Sequence, residues 1–131
     1  FPTGNKKIPT GQAVAILATL ELHMQSHKSF LNPTLTIDTL AEEVGVAAHD
    51  ISLALNHHLG RHFFDFINGY RIEAACEMLA SPDHSGKTVL DISLESGFNS
   101  KSSFNTAFKK QMQITPSQYR EQGKNLPITF Q

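Results

Sequence analysis

The sequence predicts an all-α fold of about seven helices. Apolar residues recur at spacings of three and four in successive segments, which is the periodicity of amphipathic helices. Threonine, glycine and proline stand at the ends of these segments, where they cap or stop helices. No segment shows period-two alternation bounded by hairpin turns, and the longest candidate strand, Ile128–Phe130, lies in the C-terminal tail. The prediction therefore contains no strands.

Two helices are predicted in the first part of the chain, after a flexible lead-in over residues 1–10 that shows no apolar periodicity. The first helix ends before Asn32 and buries one stripe, formed by Ala13, Ile16 or Leu17, Leu20 and Met24. The second is capped by Thr36, has Asp38 in its first turn and ends at Gly45. Its apolar face consists of Ile37, Leu40, Ala41 and Val44.

A third and a fourth helix are predicted next. The third runs from about Ala48 to His58 and ends at Gly60, because glycine tolerates left-handed backbone angles. Its inward positions are Ile51, Ala54 or Leu55, and Leu59. The fourth, from His62 to about Ala80, is the longest periodic segment, and its inner face is marked by Phe63, Phe66 or Ile67, Tyr70, Ala74 and Leu79.

Three further helices follow a break at residues 81–86. Thr88 and Asp91 have the spacing of a variant capping box, which opens a fifth helix that stops at Gly97. A sixth helix spans about Ser100 to Gln111. The run Thr115–Gln118 opens a seventh, with threonine as the cap, proline at the first helical position and glutamine at the third.

Composition indicates an ordinary soluble domain. The chain has 131 residues, of which 40% are hydrophobic and 18% charged, and no apolar run approaches the roughly 18 residues of a membrane span. The formal net charge is only −1, but the charges are unevenly placed. Residues 33–62 carry four acids and one arginine, whereas Lys87–Arg120 carries five basic and two acidic residues. Any binding of nucleic acid must therefore depend on where the charges lie.

The single cysteine, Cys76, cannot form an internal disulfide or a cysteine-based zinc site alone, which favours a reducing, cytoplasmic setting. No signal peptide is visible. Because the first residue is Phe1 rather than methionine, we expect the sequence to be a fragment of a longer protein, whose preceding region is a candidate sensor.

Two stretches of the chain repeat one design. LAEEVGV at residues 40–46 and ISLESGF at residues 92–98 each form a helix stopped by glycine, followed by an apolar residue and then another helix. This is the helix-turn-helix pattern, whose second helix can lie in the major groove of DNA. Glycine-stopped helix pairs are also common in helical bundles, but two copies favour DNA binding.

The most regular segment, DISLESGFNSKSSFNTAFKKQMQITPSQYR from Asp91 to Arg120, resembles the AraC/XylS family. Leu35–Gly60 and Tyr70–Ala75 follow the family pattern as well, so the resemblance covers about Ala13 to Arg120. It implies two homeodomain-like helix-turn-helix subdomains joined by a long linker helix. The forms NHHLG, FFDFIN and FNSKS, which begin at Asn56, Phe63 and Phe98, are similar to a branch with a membrane-embedded sensor.

The resemblance divides the chain into a lead-in (1–10), a first subdomain (11–60), a linker helix (61–81), a second subdomain (82–122) and a tail (123–131). It implies that the linker holds two recognition helices in successive major grooves, roughly 34 Å apart. Arg71 and Glu73 on the linker are interpreted either as orienting residues or as an exposed surface pair.

Outward positions near the start of each recognition helix should face base edges. These predicted base contacts are Ala48, His49, Ser52, Leu53, Lys101, Ser102, Asn105 and Thr106. Lys101 suits guanine, Asn105 suits adenine, and Leu53 either touches a thymine methyl or packs internally. By resemblance, one position on each helix often carries a base-reading arginine, and here Leu53 and Thr106 replace it.

Phosphate contacts are predicted from basic and hydroxyl side chains beside these helices: His57, Arg61, Lys87, Ser100, Lys109, Lys110 and Arg120. His58 adds a further histidine in the first subdomain. Because most of this positive charge lies in the second subdomain, we expect that subdomain to contribute more of the salt-dependent affinity.

The partner implied is double-stranded DNA, with RNA polymerase and a second copy, joined through the preceding region, as further candidate partners. The setting implied is the cytoplasm, with or without a tether to the inner membrane face through that region.

No cofactor or small-molecule site is predicted. A zinc site at His49, His57, His58 and His62 is disfavoured because Gly60 interrupts the helix. The sequence contains no nucleophile elbow and no phosphate loop, so no motif in it indicates an enzyme. A helical protein-interaction module is the remaining alternative.

Overall fold

The computed structural model describes residues 8–125, with the side chains of residues 124 and 125 left out. Within this range the chain forms seven α-helices and no strand, which confirms the all-α prediction. The helices are α1 (Thr10–His27), α2 (Ile37–Val44), α3 (Ala48–Ala54), α4 (Phe63–Ala80), α5 (Val89–Glu95), α6 (Lys101–Met112) and α7 (Pro116–Asn125). The candidate strand Ile128–Phe130 lies outside the described residues. No helix in the described range is long and apolar enough to cross a membrane.

The described residues divide into two compact units. The first comprises residues 8–29 and Thr34–Ile67, and the second comprises Phe30–Pro33 together with residues 68–125. Phe30–Pro33, called here the connector segment, thus belongs to the second unit although the residues on both sides of it belong to the first. Helix α4 contributes its first turn to the first unit and its remainder to the second.

The first unit is built from α1, α2 and α3, and both α1 and α2 pack against α3. The buried stripe of α1 is Ala13, Ile16, Leu20 and Met24, as the spacing predicts, while Leu17 is half-buried. Helix α1 begins at Thr10 and Ile8 is buried, so the end of the predicted lead-in is structured. Lys28 ends α1 in a left-handed conformation, and a short 3₁₀ turn follows at Ser29–Leu31.

The predicted inward position of Leu59 is wrong, because this side chain is 46% exposed. The helix predicted over Ala48–His58 is regular only to Ala54 and continues as a π-helical turn over Leu55–Leu59. A π turn holds more residues than an α turn, so the face presented by residues after Leu55 rotates away from the core. Leu55 itself is fully buried, and Gly60 ends the turn with φ +62°.

The second unit has a core of aromatic and aliphatic side chains. It is formed by Ile72, Ala75, Leu79, Ile92, Phe98, Phe104 and Phe108. The predicted inner face of α4 is correct for Phe66, Ile67 and Leu79, whereas Phe63, Tyr70 and Ala74 are only half-buried. A single inner stripe is a poor description of α4 because this helix supplies buried residues to both units.

The predicted caps of α5 and α7 are confirmed. Thr88 Oγ1 accepts a hydrogen bond from the Asp91 amide at 3.0 Å, and the Thr88 amide donates to Asp91 Oδ2 at 3.0 Å. Thr115 and Gln118 form the same reciprocal pair before α7, at 3.1 and 2.9 Å. Helix α7 extends to Asn125, three residues into the predicted tail over 123–131.

Candidate nucleic-acid interface

The first helix-turn-helix is formed by α2, a turn at Gly45 and α3. Thr36 caps α2 by accepting from the Thr39 amide at 3.1 Å, as predicted. Gly45 has φ +72°, and its amide donates to the Ala41 carbonyl at 2.9 Å. The left-handed backbone at Gly45 redirects the chain within two residues, so α3 begins at Ala48.

The second helix-turn-helix is formed by α5, a turn at Gly97 and α6. Gly97 has φ +105°, and its amide donates to the Leu94 carbonyl at 3.2 Å. The turn also leaves no room for a side chain, because a Cβ atom on Gly97 would lie 2.3 Å from the Phe30 carbonyl oxygen. Gly45 has no atom within 4 Å of its corresponding Cβ position. Both turns therefore favour glycine for its backbone angle, and the second also requires it because the space beside it is filled.

Helix α6 presents an exposed polar surface on its first two turns. Phe104 and Phe108 are fully buried, whereas the predicted base-contact residues Lys101, Ser102, Asn105 and Thr106 are all exposed. Ser102, Asn105 and Thr106 follow Lys101 by one, four and five residues, so these side chains lie near one another on the first two turns of the helix. Ser100 caps α6 by accepting from the Ser103 amide at 3.1 Å, and its hydroxyl donates to Ser103 Oγ at 3.0 Å. Its hydroxyl thus already has two protein partners.

Helix α3 exposes fewer of its predicted base-contact residues. Of its predicted base-contact residues, His49 is exposed, while Ala48, Ser52 and Leu53 are half-buried. Ser52 Oγ accepts a hydrogen bond from the Asn56 side chain at 3.3 Å. The two recognition helices thus differ in the side chains that they expose.

Apart from Ser100, the predicted phosphate-contact residues fall into two groups. His57, Arg61, Lys109 and Lys110 are exposed, and the two lysines lie in the last turn of α6. Lys87 instead pairs with Glu95, with 2.6 Å between Nζ and Oε1, and the Arg120 guanidinium donates to the His84 carbonyl at 3.4 Å. Within the part of the chain that the structure describes, the exposed cations Arg61 and Lys109 therefore have no ion-pair partner, and His57 adds an exposed imidazole.

Sequence reasoning missed a polar cluster in the first unit. His23 Nε2 lies 2.7 Å from Glu43 Oε1 and 2.9 Å from Ser29 Oγ, and the Ser29 hydroxyl donates to Glu43 at 2.6 Å. The Ser29 hydroxyl and then His23 lower the pKa of the Glu43 carboxyl. No local spacing reveals this cluster, because Glu43 follows His23 by 20 residues.

This cluster does not have the geometry of a catalytic triad. In a triad the serine and the carboxylate contact opposite nitrogens of the imidazole. Here both approach the same nitrogen of His23, and the Ser29 hydroxyl donates to Glu43. The arrangement instead ties α1, the 3₁₀ turn and α2 together.

Other reactive groups do not assemble a site in the part of the chain that the structure describes. No group of three or more His, Cys, Asp and Glu side chains is placed to hold a metal ion there. Burial raises the pKa of the Cys76 thiol, which packs against the core of the second unit. A protonated thiol of this kind is a poor nucleophile at neutral pH.

Comparison with known proteins identifies the family. A model described as a helix-turn-helix domain matches residues 40–122, and the fold resembles an AraC-type transcriptional regulator from Chromobacterium violaceum (TM-score 0.65, 21% identity, 86% of this chain and 92% of that chain). The chain belongs to the AraC/XylS family. This AraC-type domain is a DNA-binding domain, and the named members of the family are transcriptional regulators rather than enzymes.

Two further proteins illustrate the relationship. The probable transcription factor PqrA of Proteus vulgaris is 31% identical over 108 residues, which cover 82% of each chain. The C-terminal domain of AraT, a response regulator from Geobacillus stearothermophilus, superposes with a TM-score of 0.67 at 28% identity, over 82% of this chain and 84% of that one.

Longer relatives show the domain as a small part of a larger protein. An uncharacterized HTH-type transcriptional regulator of Staphylococcus aureus (strain COL) is 38% identical over 86 residues. This match covers 66% of the AraC-type domain but only 11% of the length of that relative.

Proposed function

We propose that the AraC-type domain binds promoter DNA sequence-specifically by placing α3 and α6 in successive major grooves, roughly 34 Å apart. The observation that supports this most directly is the polar face of α6. Lys101, Ser102, Asn105 and Thr106 are exposed on the first two turns of α6, whereas Phe104 and Phe108 of the same helix are fully buried. A recognition helix needs such a face, because its core side holds it in the unit while its polar side meets base edges.

Within this proposal, α6 contributes more to base recognition than α3 does. Lys101 suits guanine and Asn105 suits adenine. Among its predicted contacts, α3 offers only His49 as an exposed candidate, and Leu53 is half-buried. We therefore expect base preference to be sharper over the half-site that α6 contacts.

Selection of random duplexes by the full chain tests sequence-specific binding. We expect enrichment of a site with two half-sites separated by about one helical turn. Asn105→Ala should relax the preference at one base pair within the α6 half-site, because a bidentate side chain contact discriminates by about 1–3 kcal/mol. Gln111→Ala, which removes another exposed amide from the same helix, is the matched control and should keep the selected site unchanged. Recovery of no preferred sequence would contradict the proposal and favour a helical protein-interaction module.

Phosphate binding is proposed to rest mainly on the second unit. Binding of phosphates by lysine releases counterions, so each contact steepens the dependence of affinity on salt concentration. The double variant Lys109→Ala/Lys110→Ala should lower the slope of log affinity against log salt by about one to two. His57→Ala in the first unit is the comparison, and a larger loss of slope from that change would refute the assignment.

The regulator that contains this domain is proposed to act in the cytoplasm, with or without a tether to the inner membrane face. RNA polymerase and a second copy of the regulator, joined outside this domain, are its proposed protein partners. The match to only 11% of a longer relative supports a protein with further regions, which would carry the signal response. Detergent-free fractionation of cells that express the whole regulator would separate the tethered form from the free form.

A further inference from the structure

Arg71 is a buried cation held by neutral oxygens. It lies on α4 in the second unit and is only 5% exposed. Its Nε donates to the Phe30 carbonyl at 2.7 Å, and its Nη2 donates to the Asn32 carbonyl at 2.9 Å. Its Nη1 donates to the Asn68 side chain at 3.2 Å. The guanidinium therefore binds two carbonyls of the connector segment at once.

The turn of the second helix-turn-helix packs against the hydrogen bond between Arg71 and Phe30. A Cβ atom on Gly97 would lie 2.3 Å from the Phe30 carbonyl oxygen and 2.9 Å from Arg71 Nε. The next residue, Phe98, has its ring centroid 5.8 Å from the guanidinium carbon, within the range of a cation–π interaction. The Phe98 ring in turn meets Phe104 of α6 edge to face, with centroids 5.2 Å apart. Continuous contact thus runs from Arg71 through the turn to α6.

We propose that Arg71 is a positioning residue for DNA recognition, which sets the turn at Gly97 and Phe98 and through it the orientation of α6. Arginine suits this task because its planar fork reaches two separated carbonyls, whereas a lysine ammonium on a flexible stem cannot reproduce that geometry. The connector segment then takes part in DNA recognition by the second unit, although it lies far from α6 in sequence. The DNA-binding half of this inference rests on the proposed function.

Hydrogen exchange of the full chain tests the positioning without DNA. Arg71→Lys keeps the charge and loses the fork, and Glu73→Gln, at an exposed position on the same helix, is the control. In Arg71→Lys the amides of Gly97 and Phe98, which donate to Leu94 and Ser93, should exchange about tenfold faster than in the control. The Gly45 amide in the first unit should be unchanged.

Equal exchange at Gly97 and Phe98 in the two variants would overturn the proposal, and so would an equal acceleration at Gly45, which would mean general destabilisation. If Arg71→Lys does not fold, Asn68→Ala removes one acceptor and leaves the two carbonyl contacts in place. It should accelerate the same two amides to a smaller degree. No acceleration there would likewise count against the proposal.

Binding to duplexes with one intact half-site completes the test. Arg71→Lys should weaken binding to the half-site that α6 protects by about tenfold, and leave the α3 half-site unchanged. Faster exchange with unaltered affinity for the α6 half-site would refute the role in DNA recognition. If the wild-type chain selects no sequence, the proposed function fails, while the exchange result still decides whether Arg71 holds the turn.

Discussion

Replacement of Gly97 by alanine tests how tightly the second turn is packed. At φ +105° an alanine is strained by about 1–2 kcal/mol. Its Cβ atom would also lie 2.3 Å from the Phe30 carbonyl oxygen, so that backbone must move, which typically costs about 1–3 kcal/mol. We expect Gly97→Ala to lower the free energy of unfolding by about 2–5 kcal/mol in total.

Gly45→Ala is the matched control, because Gly45 also has a positive φ but has open space at its Cβ position. It should lose only the strain contribution, about 1–2 kcal/mol. Urea unfolding followed by far-ultraviolet circular dichroism measures both changes. Tyrosine fluorescence reports on the second unit, because Tyr70 and Tyr119, the two tyrosines of the chain, both lie there. Equal losses in the two variants would refute the argument from close packing.

Two further predictions concern polar contacts. The pKa of Glu43 is lowered from 4.5 in the folded chain, first by the Ser29 hydroxyl and then by His23. The stability that this carboxylate contributes is therefore present above the unfolded pKa and is lost as the pH falls through the folded pKa. The stability difference between wild type and Glu43→Gln, from melting curves at several pH values, should shrink on acidification; a difference that grows would contradict this. Thr88→Ala removes the side-chain acceptor for the Asp91 amide and should lower the free energy of unfolding by about 1 kcal/mol, measured in urea. No change would show that the cap is dispensable.

The helices and their caps were largely predictable because their signals are local. Thr36, Thr88 and Thr115 each accept a hydrogen bond from an amide three residues ahead. Gly45 and Gly60 adopt the left-handed conformation that the helix ends require. Interactions over three or four residues can be read from spacing, since helix geometry alone brings the groups together.

The candidate site was predictable in part. The spacing of Phe104 and Phe108 places Ser102 and Thr106 on the outward side of α6. Lys101 precedes Phe104 by three residues, so spacing places it on the buried stripe, and only the structure shows that it is exposed. The ion pair between Lys87 and Glu95 was not predicted, because it depends on the path of the chain between residues 81–86 and α5. The outward turn of Leu59 was also missed, since propensity does not reveal where an α-helix widens into a π turn.

The sequence by itself determined the helix order, the two glycine turns and the family, because these depend on local periodicity, capping and a long continuous motif. Only the tertiary structure decided that Arg71 is buried and that Glu73 is exposed on the same helix. The carbonyl that Arg71 binds most closely belongs to Phe30, 41 residues earlier in the chain. Contacts over such separations depend on packing of the whole unit, which no local pattern of residues specifies.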